Sequence, residues 1–164
     1  MSEFKGIVLH WSAGQNIPNA DDFQHYHFMI DGEGNIHNGK FKPEDNLVCI
    51  SGHYAEHTGG GNTGRIGVAL CGMLGYNPGI SGTDYPLNQK QFESAMSFVN
   101  QLCKRYNIPI TPETVLTHKE FGDSHPKTTS YTKIDICFLP FQPELKPEEI
   151  GNFIRTKILW YGKQ

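Results

Sequence analysis

Charge runs, cysteine pairs and long apolar segments are scarce in this chain, and each shortage removes a class of function. Its 14 basic and 17 acidic side chains give a formal charge of -3 over 164 residues. Nowhere do five or more Lys and Arg cluster, so the phosphate neutralisation that nucleic-acid binding needs is missing. The cysteines Cys49, Cys71, Cys103 and Cys137 form no CxxC pair; three sit in apolar surroundings and read as buried thiols, so no disulfides are expected. The longest apolar run, around Ile66 to Leu74, is far too short to span a bilayer. The start, Met1 to Lys5, leads straight into a strand pattern without the apolar core of a secretory signal. These absences predict a soluble protein made in the cytoplasm, with no membrane insertion and no nucleic-acid partner. Neither an internal repeat nor a low-complexity segment is present. The 37% hydrophobic content then suits one globular unit over residues 1–164 with a core of its own.

Periodicity divides that unit into strands and helices. Gly6 to His10 reads as a strand, Ser12 to Ala20 as a loop, and Asp22 to His25 as a short helix that Asn19 or Asp21 can cap. Tyr26 to Ile30 reads as a strand that returns through the turn Asp31-Gly32-Glu33-Gly34-Asn35 as a hairpin. Signals from Lys40 to Asn62 are irregular and include the run Gly59-Gly60-Gly61, which lets backbone approach a ligand or serves as flexible linker. Arg65 to Met73 is almost unbroken by polar residues, the pattern of a central strand buried on both faces. Gly75 to Pro86 is turn-rich. Asn88 then caps a helix whose residues Phe92, Ala95, Met96, Val99, Leu102, Cys103 and Tyr106 recur at helical spacing, with Pro109 and Pro112 expected to end it. Thr114 to His118 reads as a strand, Phe121 to Thr132 as a long polar loop, and Pro147 opens a terminal helix. The fold class expected is α/β, a single mixed central β-sheet flanked by helices.

Two stretches carry the chemistry. His10 closes one β-type apolar run and His118 closes another, with Lys133-Ile134-Asp135 following. Two histidines and a carboxylate at sheet edges suit a catalytic zinc, which takes three protein ligands and leaves a position open.

In order along the chain stand Leu9-His10-Trp11-Ser12-Ala13, Tyr26-His27-Phe28, Asp31-Gly32-Glu33-Gly34, His57 with Asn62-Thr63-Gly64-Arg65-Ile66-Gly67-Val68, Thr117-His118, and Lys133-Ile134-Asp135-Ile136. This ordered set, from about residue 6 to residue 140, resembles the zinc N-acetylmuramoyl-L-alanine amidases, whose superfamily includes phage endolysins and the peptidoglycan recognition proteins. The resemblance implies the amidase and peptidoglycan recognition fold, one zinc ion, and peptidoglycan as partner. It implies hydrolysis of the amide between the lactyl group of N-acetylmuramic acid and the L-alanine of the stem peptide. It also implies a monomer most like a phage or prophage endolysin, released to the wall by a holin and without a separate wall-binding domain. A cytosolic amidase acting on soluble wall fragments and a non-catalytic peptidoglycan-binding module are the alternatives.

By similarity His10, His118 and Asp135 are the zinc ligands, and Tyr26 and Lys133 the catalytic positions. An ammonium such as that of Lys133 can stabilise charge developing on the attacked carbonyl oxygen. Two tasks suit Tyr26: orienting the attacking water, or assisting proton transfer to the leaving amine. His57, Asn62 and Arg65 are candidate substrate contacts, Arg65 toward a stem-peptide carboxylate. Glu120 is a candidate hydrogen-bond partner for a ligand or for Lys133. Asp123, His125 and Cys137 could each bind zinc by type, but on an extended segment Lys133 and Asp135 point the same way, and this favours Asp135 as third ligand.

Overall fold

The computed structural model describes residues 3–79 and 82–164; positions 80 and 81 of the expected turn stretch lie outside the described residues. Five strands form one mixed sheet: β1 (Gly6–Trp11), β2 (Phe28–Ile30), β3 (Ile36–Asn38), β4 (Arg65–Leu70) and β5 (Val115–Thr117), in the order β3-β2-β4-β1-β5. β4 is the middle strand, as its unbroken apolar pattern requires, and it runs parallel to both β1 and β2. β5 is parallel to β1, and among the described strands only the β2–β3 hairpin is antiparallel. Among the described residues four α-helices accompany the sheet: α1 (Ala20–His25), α2 (Gln89–Tyr106), α3 (His118–Ser124) and α4 (Pro147–Tyr161).

The two faces of the sheet have different work. Alternation along β1 sends Ile7 and Leu9 to one side and Val8 and His10 to the other. On the first side they join Ile66, Val68 and Leu70 beneath the apolar stripes of α2 and α4, including Phe92, Met96, Val99, Ile150, Ile154 and Ile158. Each such side chain contributes about 1.5–3 kcal/mol on burial, so this layer carries most of the hydrophobic stabilisation. The other face holds only small clusters, Val8 with Leu116 and Phe121, and Met29 with Ala69 and Cys71. It is the face on which His10 is buried.

Local chemistry explains the helix ends. Asn19 and Asn88 start α1 and α2 with reciprocal capping boxes. α2 stops at Asn107, which takes the left-handed conformation (φ 55°), before either proline is reached. Tyr26 closes α1, its amide bonded to the Asp22 carbonyl, so β2 begins only at Phe28. The expected loop from Phe121 instead contains most of α3 and a 3₁₀ turn, Thr129–Thr132. The reason is the box Thr117-x-x-Glu120: the Thr117 hydroxyl accepts from the Glu120 amide, and the Glu120 carboxylate accepts from the Thr117 amide.

Candidate metal centre and active site

β1 and β5 are adjacent, so the site begins with two histidines on neighbouring parallel chains. His10 stands within β1, and His118 is the first residue of α3, directly after β5. The third group arrives from a turn tied to the same helix, because the Lys119 amide donates to the Asp135 carbonyl at 2.6 Å. Asp135 lies in that turn rather than on the extended segment expected from its spacing.

The three side chains converge. His10 Nδ1 lies 3.0 Å from Asp135 Oδ2, and His118 Nδ1 lies 3.3 Å from Asp135 Oδ1. One ligand atom from each can be chosen so that all lie within 4.8 Å of one another, and all three residues are buried. Burial pushes His10 down to about 4, despite the opposing pull of Asp135, so its imidazole is neutral at pH 7. Burial acts to raise Asp135, but contact with His10 and His118 outweighs it and holds the carboxyl well below the usual range. Two nitrogens and one carboxylate, facing one another out of water, fit a divalent cation with N and O ligands.

A cavity of about 640 Å³ opens over this cluster, and Tyr26 and Lys133 both line it. The Tyr26 ring centroid lies 5.1 Å from that of His10. Burial, with Asp135 and Asp22 nearby, raises the Tyr26 phenol, which therefore keeps its proton at neutral pH. Lys133 is exposed on the rim, close enough to act electrostatically on His10.

The remaining candidates fall in different places. His57 and Asn62 reach the cavity wall. His57 is buried behind His10, however, with ring centroids 5.3 Å apart, and Asn62 Oδ1 accepts from the amides of His57 and Thr58. Arg65 lies elsewhere: its guanidinium sits over the Phe121 ring and donates to the Gly61 carbonyl. Glu120 bonds neither a ligand histidine nor Lys133 in the structure; its carboxylate is bidentate with Arg155, both distances 2.9 Å. Its hold on His118 is indirect, through the cap of α3. Of the rival ligands, His125 stacks on Phe121, Asp123 pairs with Lys119, and Cys137 is packed in the core.

The glycine run packs closely against protein, and Gly59 also lines the cavity over the cluster. A β-carbon at Gly59 would meet Thr129 Oγ1 at 1.9 Å, and one at Gly61 would meet the Phe121 ring at 2.4 Å. Two residues that the sequence did not single out, Thr58 and Ser130, touch the histidine cluster. Thr58 Oγ1 lies 3.4 Å from His10 Nε2, and Ser130 Oγ lies 2.9 Å from His118 Nε2. A hydroxyl in a polar loop carries no local signal of such a contact.

Residues 1–132 match the family described as N-acetylmuramoyl-L-alanine amidase. The chain belongs to that family. The match takes in His10, Tyr26 and His118 and stops just before Lys133 and Asp135, so the site's third group rests on the structure's own geometry. No curated protein sequence matches this amidase family member. Among solved structures, the N-acetylmuramyl-L-alanine amidase AmiD from E. coli, in complex with anhydro-N-acetylmuramic acid-L-Ala-D-gamma-Glu-L-Lys, is similar with a TM-score of 0.57 and 16% identity. That likeness covers 98% of this chain and 58% of that one. The Staphylococcus aureus hydrolase AmiA gives a TM-score of 0.56 and 15% identity, covering 98% and 75%. The endolysin LysCS from Clostridium intestinale is 20% identical with a TM-score of 0.48, covering 72% of each. At 16% and 15% identity, the likeness to AmiD and AmiA shows the fold alone.

Proposed function

We propose that this protein hydrolyses the amide between N-acetylmuramic acid and the L-alanine of the stem peptide in peptidoglycan, with one zinc ion held by His10, His118 and Asp135. The observation that carries the reading is the complete donor set: two imidazoles and a carboxylate, all buried, come together beside a cavity that His118, Asp135 and Lys133 line. A module that only binds has no need for all three. When bound, zinc supplies a Lewis acid and water activated near neutral pH.

The chain's own residues do the rest. Asp135 stays ionised and His10 neutral, so the pocket offers an electron-rich seat for the cation. Lys133 presents an ammonium where negative charge builds on the scissile carbonyl oxygen, a role worth a few kcal/mol for a well-placed donor. Tyr26, which keeps its proton, orients the attacking water or the substrate by hydrogen bonding rather than serving as a base.

The setting we propose is an endolysin acting on intact wall, as a monomer. Exposed residues, among them Glu56, Thr129, Thr132 and Lys133, border the cavity, so a polymer strand can lie across its mouth. The test incubates zinc-loaded protein with intact sacculi and, separately, with soluble muropeptides, and identifies new L-alanine amino termini. Release from sacculi supports the endolysin; release from muropeptides alone favours an enzyme acting on soluble fragments. Cleavage of neither overturns the hydrolase reading.

A further inference from the structure

Arg65 is short of partners. Its Nε is buried and makes no hydrogen bond, the only such side-chain nitrogen or oxygen among the described residues. Buried polar groups are paired as a rule. The guanidinium has five N–H donors, yet its bond to protein is a single long one, from Nη1 to the Gly61 carbonyl at 3.3 Å. Packing holds the group in place instead. Its central carbon lies 5.1 Å from the centroid of the Phe121 ring, on which the His125 ring is stacked at 3.9 Å.

Strand register brings a second cation beside it. Gly6 pairs with Arg65 across β1 and β4, so Lys5 runs alongside Gly64, and its amide donates to the Gly64 carbonyl at 2.7 Å. The Lys5 stem then crosses the space that a side chain at Gly64 would fill: a β-carbon there would meet Lys5 Cγ at 3.1 Å and Cδ at 3.3 Å. Among the described residues neither Lys5 nor Arg65 forms an ion pair.

Both cations line one cavity of about 480 Å³, and Asn62 and Thr63 line it with them. Asn62 Oδ1 is taken up by the amides of His57 and Thr58, which leaves its NH₂ group to donate. The Thr63 hydroxyl is engaged only by the Cys49 sulfur, at 3.5 Å. Among the described residues no carboxylate lines this cavity. Arg65 also borders a second cavity, but Glu113, Glu120, Asp123 and Glu148 line that one and would repel an anion. The loop of residues 58–62 stands between the cationic cavity and the metal centre: Thr58 and Gly59 line the catalytic side, Gly60 and Gly61 the cationic side, and Asn62 both.

We infer that the cationic cavity is a phosphate site, built from the Lys5 ammonium and the Arg65 guanidinium with Asn62 and Thr63 as neutral donors. Its two positive charges match a phosphate monoester or free phosphate, which carries about -1.5 to -2 at pH 7. A carboxylate would leave one cation uncompensated. The planar fork of Arg65 suits bidentate contact with phosphate oxygens, and Lys5 adds a point charge. The site requires neither zinc nor the amidase reading.

The test titrates the full zinc-loaded chain with inorganic phosphate, N-acetylglucosamine 6-phosphate and acetate at one ionic strength. Proton–nitrogen NMR follows the backbone amides and the Arg65 Nε–H. Phosphate is expected to move the Arg65 Nε–H and the amides of residues 5 and 60–65, with acetate binding at least about tenfold more weakly. Arg65→Gln should abolish binding, and Arg65→Lys, which keeps the charge without the fork, should fall between. Lys5→Gln changes an exposed side chain, so the fold is spared, and it should weaken binding about tenfold. Sugar phosphate binding at least as tightly as phosphate would assign the site to an ester; binding of phosphate alone would assign it to the free anion. Acetate binding as tightly as phosphate, or parental affinity in Lys5→Gln, overturns the proposal. So do shifts confined to the neighbours of His10, His118 and Asp135, which would place the phosphate on the metal.

Discussion

Gly67 lies directly under the imidazole of His57: a β-carbon at residue 67 would come within 2.5 Å of the ring's Cγ. The strand that forms the middle of the sheet thus gives up a side chain so that His57 can be buried behind His10. Gly67→Ala must push the ring outward. We expect at least a tenfold loss of zinc affinity, measured by chelator competition, with the helical circular dichroism unchanged. Parental affinity in this variant would mean that the His57 contact is incidental.

Lys133 should behave as a charge on the rim and not as a ligand. Lys133→Ala is expected to keep one zinc per chain and to lose about 100-fold or more in turnover, the range seen when one donor to a developing oxyanion is removed. Tyr26→Phe should also retain zinc, with a smaller loss. Both are read by elemental analysis beside the rate of amide cleavage. A zinc-free Lys133→Ala protein would contradict the assignment.

The Glu120–Arg155 pair links the start of α3 to α4. Arg155 is 7% exposed and also donates to the Val115 carbonyl, so removing its carboxylate partner leaves a charge poorly compensated. Glu120→Ala should cost about 3 kcal/mol in urea unfolding, part of it from the lost cap of α3. Zinc content at full folding should stay at one per chain, because Glu120 touches no ligand. A change below 0.5 kcal/mol, on the order expected for an exposed pair, would refute the structural role.

Asp31 predicts a pH dependence far from the metal centre. Burial acts to raise its pKa, but the His37 ring at 2.8 Å and the amides of Asn35 and Glu33 outweigh this and lower it. A carboxyl depressed on folding stabilises the protein above its unfolded pKa of about 3.9, and that contribution fades as pH falls through the folded value. Asp31→Asn should therefore be less stable than the parent at pH 7 by about 1–2 kcal/mol. The gap should narrow below about pH 4. Denaturant unfolding at a series of pH values checks both; a pH-independent gap would show that charge has no part.

The sheet and its central strand were legible in the sequence because β1 and β4 are short apolar runs whose burial dictates their conformation. His10 was legible for the same reason, as a polar residue interrupting such a run, and the order of motifs brought in His118, Tyr26 and Lys133. α3 was missed although its Thr117-x-x-Glu120 box is a local signal; the polar composition after Phe121 masked a helix held by tertiary contacts with the 3₁₀ turn. Arg65 and Glu120 were placed near the chemistry by type, whereas each is engaged elsewhere, on Phe121 and on Arg155. The contacts of Thr58 and Ser130 could not be read at all, since a hydroxyl 12 or 48 residues from the histidine it touches reveals itself only in the folded chain. Extended geometry favours Asp135 by spacing; the folded chain puts it in a turn, where it still meets both histidines.

The central claim is that His10, His118 and Asp135 hold a zinc ion that the amide hydrolysis requires. The most direct measurement is the rate at which new L-alanine amino termini form on purified sacculi, taken for zinc-loaded, chelated and zinc-restored protein and for Asp135→Ala. We expect cleavage that stops on chelation and returns with zinc, and an Asp135→Ala protein that lacks both metal and activity while His125→Ala and Cys137→Ser keep both. Full activity after chelation, or a zinc-replete and active Asp135→Ala protein, would contradict the account.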